Sequence, residues 1–392
     1  MNMFNRIILT KVYNRLSAYF MENDEVTRIR VIRPDSEFAL GTVIMSRVKK
    51  LIDSSGACFV DVGDDKDYFL QLPKDLSLIT FGDMREHKKI KCEDIIMVQI
   101  SSEAVKKKAP TVTYNISLNS RYFVIGSGKG ISYSGKIDSI SKKSIDLPDN
   151  IERISAQYRI IVRTACMNEP DPEMLKEDLE FLTARYTEVM RKAAISPLKS
   201  VIYKPDTDAD FGISDWLKYA PNEIVTDIPD YSERLKALSV RENINFRYYE
   251  DELLPLCKLY KLETAIDKSL SKQVYLKSGG FIIIEQGETL CAIDVNSGHN
   301  ISGDKEEKSF EINLEAAEEI EKQLKLRNIS GMILIDFINM KKDSHVRELI
   351  SHLRDIIRND DVACRYVDMT GLGLMELTRK RVLMSLSEQW RS

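Results

Sequence analysis

The chain has 392 residues, 43% of them hydrophobic and 30% charged, with a net charge of −4 at pH 7. This is the composition of a globular chain long enough for two or more cores, and its mild acidity excludes a protein that coats nucleic acid by bulk charge. No apolar run approaches the roughly 20 residues of a membrane span and the start, Met1-Asn2-Met3-Phe4-Asn5-Arg6, lacks a signal-peptide pattern, so no membrane partner is expected and the cytoplasm is the default location.

From about 38 to 118 the chain reads as short strands separated by turn residues: Gly41 to Val48, Gly56 to Gly63 and Asp67 to Leu70. An all-β module of this length suits an OB-type barrel. Between about 119 and 205, Tyr158-Arg159-Ile160-Ile161-Val162-Arg163-Thr164-Ala165 is an apolar strand closing on Arg and Thr. Asp171 and Pro172 then read as N-cap and first-turn residues of a helix, with Leu175, Leu179, Leu182, Tyr186 and Val189 as its core-facing stripe. The region 206–275 gives strand and helix patterns. Its carboxylates Asp227, Asp230 and Glu233 sit in polar, turn-like surroundings that argue against a metal site.

The strongest signal follows. Gly279-Gly280-Phe281-Ile282-Ile283-Ile284-Glu285-Gln286 leads into Cys291-Ala292-Ile293-Asp294-Val295-Asn296-Ser297-Gly298, and downstream stands Gly331-Met332-Ile333-Leu334-Ile335-Asp336-Phe337. Between them, apolar residues at 314, 317, 320 and 324 have helical spacing. A strand, a helix and a second strand predict a crossover unit with two parallel neighbouring strands, whose functional groups gather at the strands' carboxyl ends. Asp294 and Asp336 both fall there. They are either two strand-end caps or a pair of carboxylates that a hard cation such as Mg²⁺ holds together. Beyond them the pattern predicts a helix carrying Val346, Leu349, Ile350, Leu353 and Ile356, a strand at 362–367, and a last helix after Gly371 and Gly373 that bears Arg379-Lys380-Arg381. The cysteines, Cys58, Cys92, Cys166, Cys257, Cys291 and Cys364, form no C-x-x-C pair and read as buried thiols. His87, His299, His345 and His352 show no paired metal spacing.

The stretches "GGFIIIEQGETLCAIDVNSG", "INLEAAEEIEKQLKLRNISGMILIDFINM" and "MTGLGLMELTRKR" resemble the catalytic signature of the ribonuclease E/G family, and "GACFVDVGDDKDYFL", "NISLNSRYFV" and "IIVRTA" follow the family's order upstream. The resemblance implies an α+β multidomain fold. Its parts are an RNase H-like subdomain (1–38 and 206–275), an inserted OB-fold RNA-binding barrel (39–118), a 5′-sensor subdomain (119–205) and a DNase I-like α/β catalytic subdomain (276–392). It implies a Mg²⁺-dependent endoribonuclease, with Mn²⁺ as a substitute, that hydrolyses single-stranded RNA to 5′-phosphate and 3′-hydroxyl ends in RNA processing or decay. Asp294 and Asp336 match the metal ligands and Asn296 the residue that positions them. Phe59 and Phe69 match base-stacking aromatics, and Lys108 a neighbouring phosphate contact. Arg163 and Thr164, with Ser120, Val124 and Lys136, match a 5′-monophosphate pocket.

The sequence departs from the family at three points. Ser120 stands where relatives carry Gly, Lys136 is the remnant of a basic pair, and Asn339 in "IDFINM" replaces an Asp. The sequence ends at Ser392 without the family's C-x-x-C link, so no zinc-linked dimer is expected, while a homo-oligomer stays open. The basic runs Lys49-Lys50, Lys106-Lys107-Lys108 and Arg379-Lys380-Arg381 are local RNA contacts or solvated faces. Two rivals remain: a non-catalytic RNA-binding regulator that kept the fold, and a DNA-directed phosphodiesterase.

Overall fold

The computed structural model describes residues 5–32, 39–52, 56–72, 90–103, 109–168, 170–205, 213–217, 219–298 and 304–391. The chain divides into two compact units, residues 1–32 with 222–392, and residues 33–221. The architecture is mixed α/β, built on several sheets, one of which closes into a five-stranded barrel.

The first unit begins with an antiparallel meander, β1 (Asn5–Val12), β2 (Arg15–Glu22) and β3 (Glu25–Val31). Its two-residue turns place Tyr13-Asn14 and Asn23-Asp24 at positive φ, the conformation that matches the twist of a tight hairpin and that Asn and Asp tolerate.

The chain then enters the second unit. There β4 (Val43–Ile52), β5 (Ala57–Asp61), β6 (Asp67–Gln71), β7 (Ile95–Ser102) and β8 (Thr111–Thr113) pair in the order β4-β5-β6-β8-β7, and β4 closes the ring on β7. Period-two alternation directs Ile44, Val48, Cys58, Val60, Tyr68, Leu70, Val98 and Val112 into one core. A four-stranded sheet follows, made of β9 (Ser117–Asn119), β10 (Phe123–Gly126), β11 (Gly130–Tyr133) and β12 (Arg159–Val162). The helix α1 (Pro172–Ile195) shares its core through Leu175, Leu179, Leu182, Tyr186 and Val189. Asp171 caps α1 by accepting the Glu173 N–H, with proline in the first turn, as its sequence predicts. The strand β13 (Val201–Tyr203) returns to pair with β4.

Back in the first unit, β14 (Glu223–Thr226) lies parallel to β1, and β15 (Asn245–Tyr248) parallel to β14, with α2 (Pro229–Arg241) between them. The sheet order is β15-β14-β1-β2-β3. The last sheet runs β16-β17-β18-β19-β21-β20. Its strands are β16 (Gln273–Tyr275), β17 (Phe281–Gln286), β18 (Leu290–Asn296), β19 (Gly331–Asp336), β20 (Cys364–Met369) and β21 (Met375–Arg379). The helices α3 (Lys305–Leu326) and α4 (Asp343–Arg358) cover one face, where Ala316, Ala317, Ile320, Leu349 and Leu353 share a core with Ile293, Val295, Ile333 and Ile335.

Two expectations are corrected here. Residues 375–379 form the strand β21, not a helix, because Met375, Leu377 and Arg379 are buried in alternation with Glu376 and Thr378, which is a strand period. Cys92, in the turn ahead of β7, is exposed, and Cys257 and Cys364 are only half-buried, so the cysteines are not uniformly core thiols. No helix among the described residues is long and apolar enough to cross a membrane.

Candidate active site

The crossover β18-α3-β19 places β18 and β19 side by side and parallel, and the last register pair of their ladder is Asp294 with Asp336. Adjacent strands stand about 4.8 Å apart, so the two carboxylates share one end of the sheet. Strand alternation turns Ile293, Val295, Ile333 and Ile335 toward the helices and leaves Asp294 and Asp336 exposed on the opposite face. The Asn296 amide donates to Asp294 Oδ2 at 2.8 Å, which fixes one oxygen and leaves the other lone pairs available. Among the described residues no lysine or arginine pairs with either carboxylate. Nor does any group of three His, Cys, Asp or Glu gather in metal-binding geometry.

Glycine shapes the rim of this site. Phe281 faces Asn296 across the β17–β18 ladder, and a Cβ on Gly280 would come 2.7 Å from the Asn296 carbonyl oxygen. Gly298, at φ +67°, passes against the Gly279 carbonyl. Both contacts need residues without a side chain.

Three side chains that sequence reasoning missed hold the surrounding loops. Asn313 on α3 is fully buried. Its amide nitrogen donates to the Ile338 carbonyl at 2.8 Å and its oxygen accepts the Ile338 N–H at 3.0 Å, fixing the chain two residues beyond Asp336. Glu306 accepts the N–H groups of Lys341 and Lys342, and these amides hold its carboxyl below the ordinary value. Glu315 accepts the N–H of Lys277 and Ser278 ahead of the glycine pair. Asn313 had a signal in the sequence, since it stands at helical spacing ahead of 317, 320 and 324. Asn339 is exposed in the turn after β19.

The basic run Arg379-Lys380-Arg381, expected as a local RNA contact or a solvated face, lies away from the two carboxylates, and its first residue is neither. Arg379 pairs in register with Gly331, the opposite end of β19 from Asp336 and about 16 Å away at strand rise. Its guanidinium is buried against Asp360 at 2.7 and 3.2 Å and donates to the Ile329 carbonyl at 2.9 Å. Arg381 packs on Gly331. What the motif does bring to the carboxylate end is the tight hairpin 370–374, since Met375 pairs with Ile335. His345 stacks on Phe310 at 4.3 Å, and His299 and His87 lie outside the described residues.

In the second unit, Phe59 and Phe69 are register partners on β5 and β6, their rings 5.9 Å apart and edge-on. Their neighbours Cys58, Val60, Tyr68 and Leu70 fill the barrel, so the two rings stand on its outer surface. Lys50 and Thr111 are the next partners on either side, giving the outward row Lys50, Phe59, Phe69, Thr111. Lys49 instead pairs with Asp67 at 2.6 Å. Lys108 lies outside the described residues.

The remaining candidates cluster in part. The Arg163 guanidinium donates to the Ser120 carbonyl, and Thr164 opens the short helical turn that follows β12. The Ser120 hydroxyl donates to Asp178 Oδ2 at 2.5 Å, so a carboxylate on α1 that sequence reasoning missed joins this group. Val124 pairs with Asn119 and Ile161 on the strands beside it. Lys136 is exposed in the turn after β11, its N–H donating to the Ser134 hydroxyl.

A sequence model of the Ribonuclease E/G family matches residues 117–382, a span that takes in Asp294, Asn296 and Asp336. The chain is 28% identical to a ribonuclease G of Haemophilus influenzae, over 97% of this chain and 80% of that protein. It is 31% identical to a ribonuclease E of the same organism, over 95% of this chain and 41% of that protein. Against a ribonuclease G of Escherichia coli it is 26% identical, over 94% of this chain and 78% of that protein. The chain thus spans about four-fifths of these ribonuclease G relatives and less than half of the ribonuclease E relative.

Proposed function

This chain belongs to the ribonuclease E/G family, and from that premise we propose that it is an endoribonuclease that hydrolyses single-stranded RNA with Mg²⁺ held by Asp294 and Asp336. One observation carries the reading: the two carboxylates are register partners at the carboxyl ends of adjacent parallel strands. Side by side and without a lysine or arginine partner among the described residues, they repel one another unless a cation lies between them. Two carboxylates with open positions suit Mg²⁺, which keeps several waters and takes the rest of its ligands from substrate phosphate. Mn²⁺ shares that preference for oxygen.

When bound, the cation supplies a Lewis acid for the phosphoryl oxygens and a more acidic water. The protein's own part is positional. Asn296 holds the Asp294 carboxylate in one orientation, and Asn313 fixes the backbone that follows Asp336. Water attacks phosphorus in line, the bond from phosphorus to the 3′ oxygen breaks, and that oxygen takes up a proton, leaving a 5′-phosphate and a 3′-hydroxyl.

In the same reading the barrel is an OB-type module whose outer rings, Phe59 and Phe69, stack unpaired bases, with Lys50 beside them for phosphate, and Lys108 is a second phosphate contact by its match to the family. The sheet β9–β12 is the 5′-sensor, with Arg163, Thr164, Ser120, Val124 and Lys136. The sheet β15-β14-β1-β2-β3 is an RNase H-like support, and the carboxylate-bearing sheet is DNase I-like. Single strands are the substrate because stacking needs exposed bases, which an A-form duplex does not offer.

The test is incubation of the purified chain with labelled single-stranded RNA, 5′-monophosphorylated and 5′-hydroxyl in parallel, with Mg²⁺ or with EDTA. Internal cuts that require Mg²⁺ are expected, and Asp294→Asn should lower the rate by roughly 100-fold or more while leaving RNA affinity and folding near the parent's. A variant as active as the parent, or binding without cleavage under every metal tried, overturns the assignment. The second outcome favours the non-catalytic regulator.

A further inference from the structure

The open face of the carboxylate-bearing sheet carries an aromatic pair that the hydrolysis does not use. Tyr275 on the edge strand β16 and Phe281 on β17 are register partners, their ring centroids 6.3 Å apart and the planes tilted by 59°. Phe281 is in turn the partner of Asn296, and Ile283 that of Asp294. Residues opposite one another in an antiparallel ladder share a face, so Tyr275, Phe281, Asn296 and Asp294 all lie on the side away from the helices. Ile282, Ile284, Ile293 and Val295 point into the core. Tyr275 is 75% exposed, an unusual place for a large ring that has a polar row, not a hydrophobic core, as its neighbour.

We propose that Tyr275 and Phe281 form a stacking platform that holds one unpaired nucleobase of the RNA beside the carboxylate row and so positions the nucleotide flanking the cut. The inference rests on the endoribonuclease reading and names how that site grips its substrate. From β16 to β18 is two strand spacings, about 10 Å, which places the platform within reach of a nucleotide adjoining a phosphate held at Asp294 and Asp336. Aromatic rings accept any base through its π-face, and Lys277, exposed in the turn just after Tyr275, offers an ammonium for the neighbouring phosphate. The occupant is a base and not an apolar partner segment, because the two rings run directly into Asn296 and the exposed carboxylates.

The experiment compares the parent with Tyr275→Ala, Tyr275→Phe and Phe281→Leu on single-stranded RNA with one abasic position moved stepwise across the cut. Tyr275→Ala should lower kcat/KM by roughly tenfold, chiefly through KM. Tyr275→Phe should restore it, and the alanine variant should no longer distinguish an abasic flanking position from a normal one. A Tyr275→Ala variant within twofold of the parent, or one that keeps the abasic penalty, overturns the platform. A second measurement separates this failure from failure of the endoribonuclease reading: RNA carrying 2-aminopurine is titrated with the same proteins, and its fluorescence is quenched on stacking whether or not the RNA is cut. Quenching by the parent that Tyr275→Ala abolishes supports the platform even if no cleavage occurs, and equal quenching by both removes it.

Discussion

Arg379 shows how one residue's role depends on its burial and not on its charge. Its side chain and that of Asp360 are each 3% exposed, and the guanidinium spends its donors on that carboxylate, the Ile329 carbonyl and Asn328. Burial alone would raise the Asp360 carboxyl, but the Arg379 hydrogen bonds and charge bring it below the ordinary carboxylate value. A depressed carboxylate stabilises the fold above the unfolded pKa, and that stability is lost as pH falls through the folded value. Arg379→Met leaves a buried carboxylate without its partner and should cost about 3–5 kcal/mol at pH 7. In the variant burial is opposed only by the Val362 N–H and the charge of Lys325, so the Asp360 carboxyl rises relative to the parent, and the deficit should shrink as pH falls toward 4. Urea unfolding at both pH values checks this. A variant that unfolds like the parent while losing RNA affinity would return Arg379 to the substrate.

At the scale of elements, the crossover β18-α3-β19 gives the site its precision, and it was legible because each part has a clear period. Apolar runs end in Asp294 and Asp336, and an amphipathic stretch separates them. The α1 cap and its buried stripe were legible for the same reason. The strand β21 was misread, since "MELTRKR" offers only five residues of alternation and its charged end, Arg379, is buried by a partner distant in sequence. Asp178 and Asn313 escaped notice because their roles come from tertiary contacts: Ser120 is 58 residues from Asp178, and Ile338 is 25 from Asn313. Asn313 ties α3 to the turn after β19, so Asn313→Ala removes two hydrogen bonds and leaves the partly buried Ile338 N–H and carbonyl without those partners. It should cost about 1–3 kcal/mol of stability and lower kcat several-fold with little change in RNA affinity. Thermal unfolding and single-turnover cleavage measure the two effects, and a loss of affinity without a loss of rate would separate Asn313 from the site.

For the whole molecule, a net charge of −4 bears on how the proposed RNA substrate would be held. Each of the two units carries an aromatic pair at its surface, the half-buried Phe59 and Phe69 in one and the exposed Tyr275 with the half-buried Phe281 in the other, and each pair has one exposed lysine close by, Lys50 or Lys277. Affinity built mainly on stacking depends little on salt, whereas affinity built on phosphate contacts falls steeply as counterions compete. If roughly three or four phosphates are neutralised, the slope of log affinity against log salt for a single strand is about −2 to −3. Binding of an Asp294→Asn chain to unpaired RNA between 50 and 200 mM KCl (a range chosen to span about a fourfold change in salt) should show that shallow slope. Phe59→Ala should weaken affinity by roughly fivefold or more at every salt concentration while leaving the slope unchanged, because it removes a stacked base and no charge. A slope steeper than about −6, or a Phe59→Ala variant whose loss disappears at high salt, would mean that charge and not stacking holds the strand.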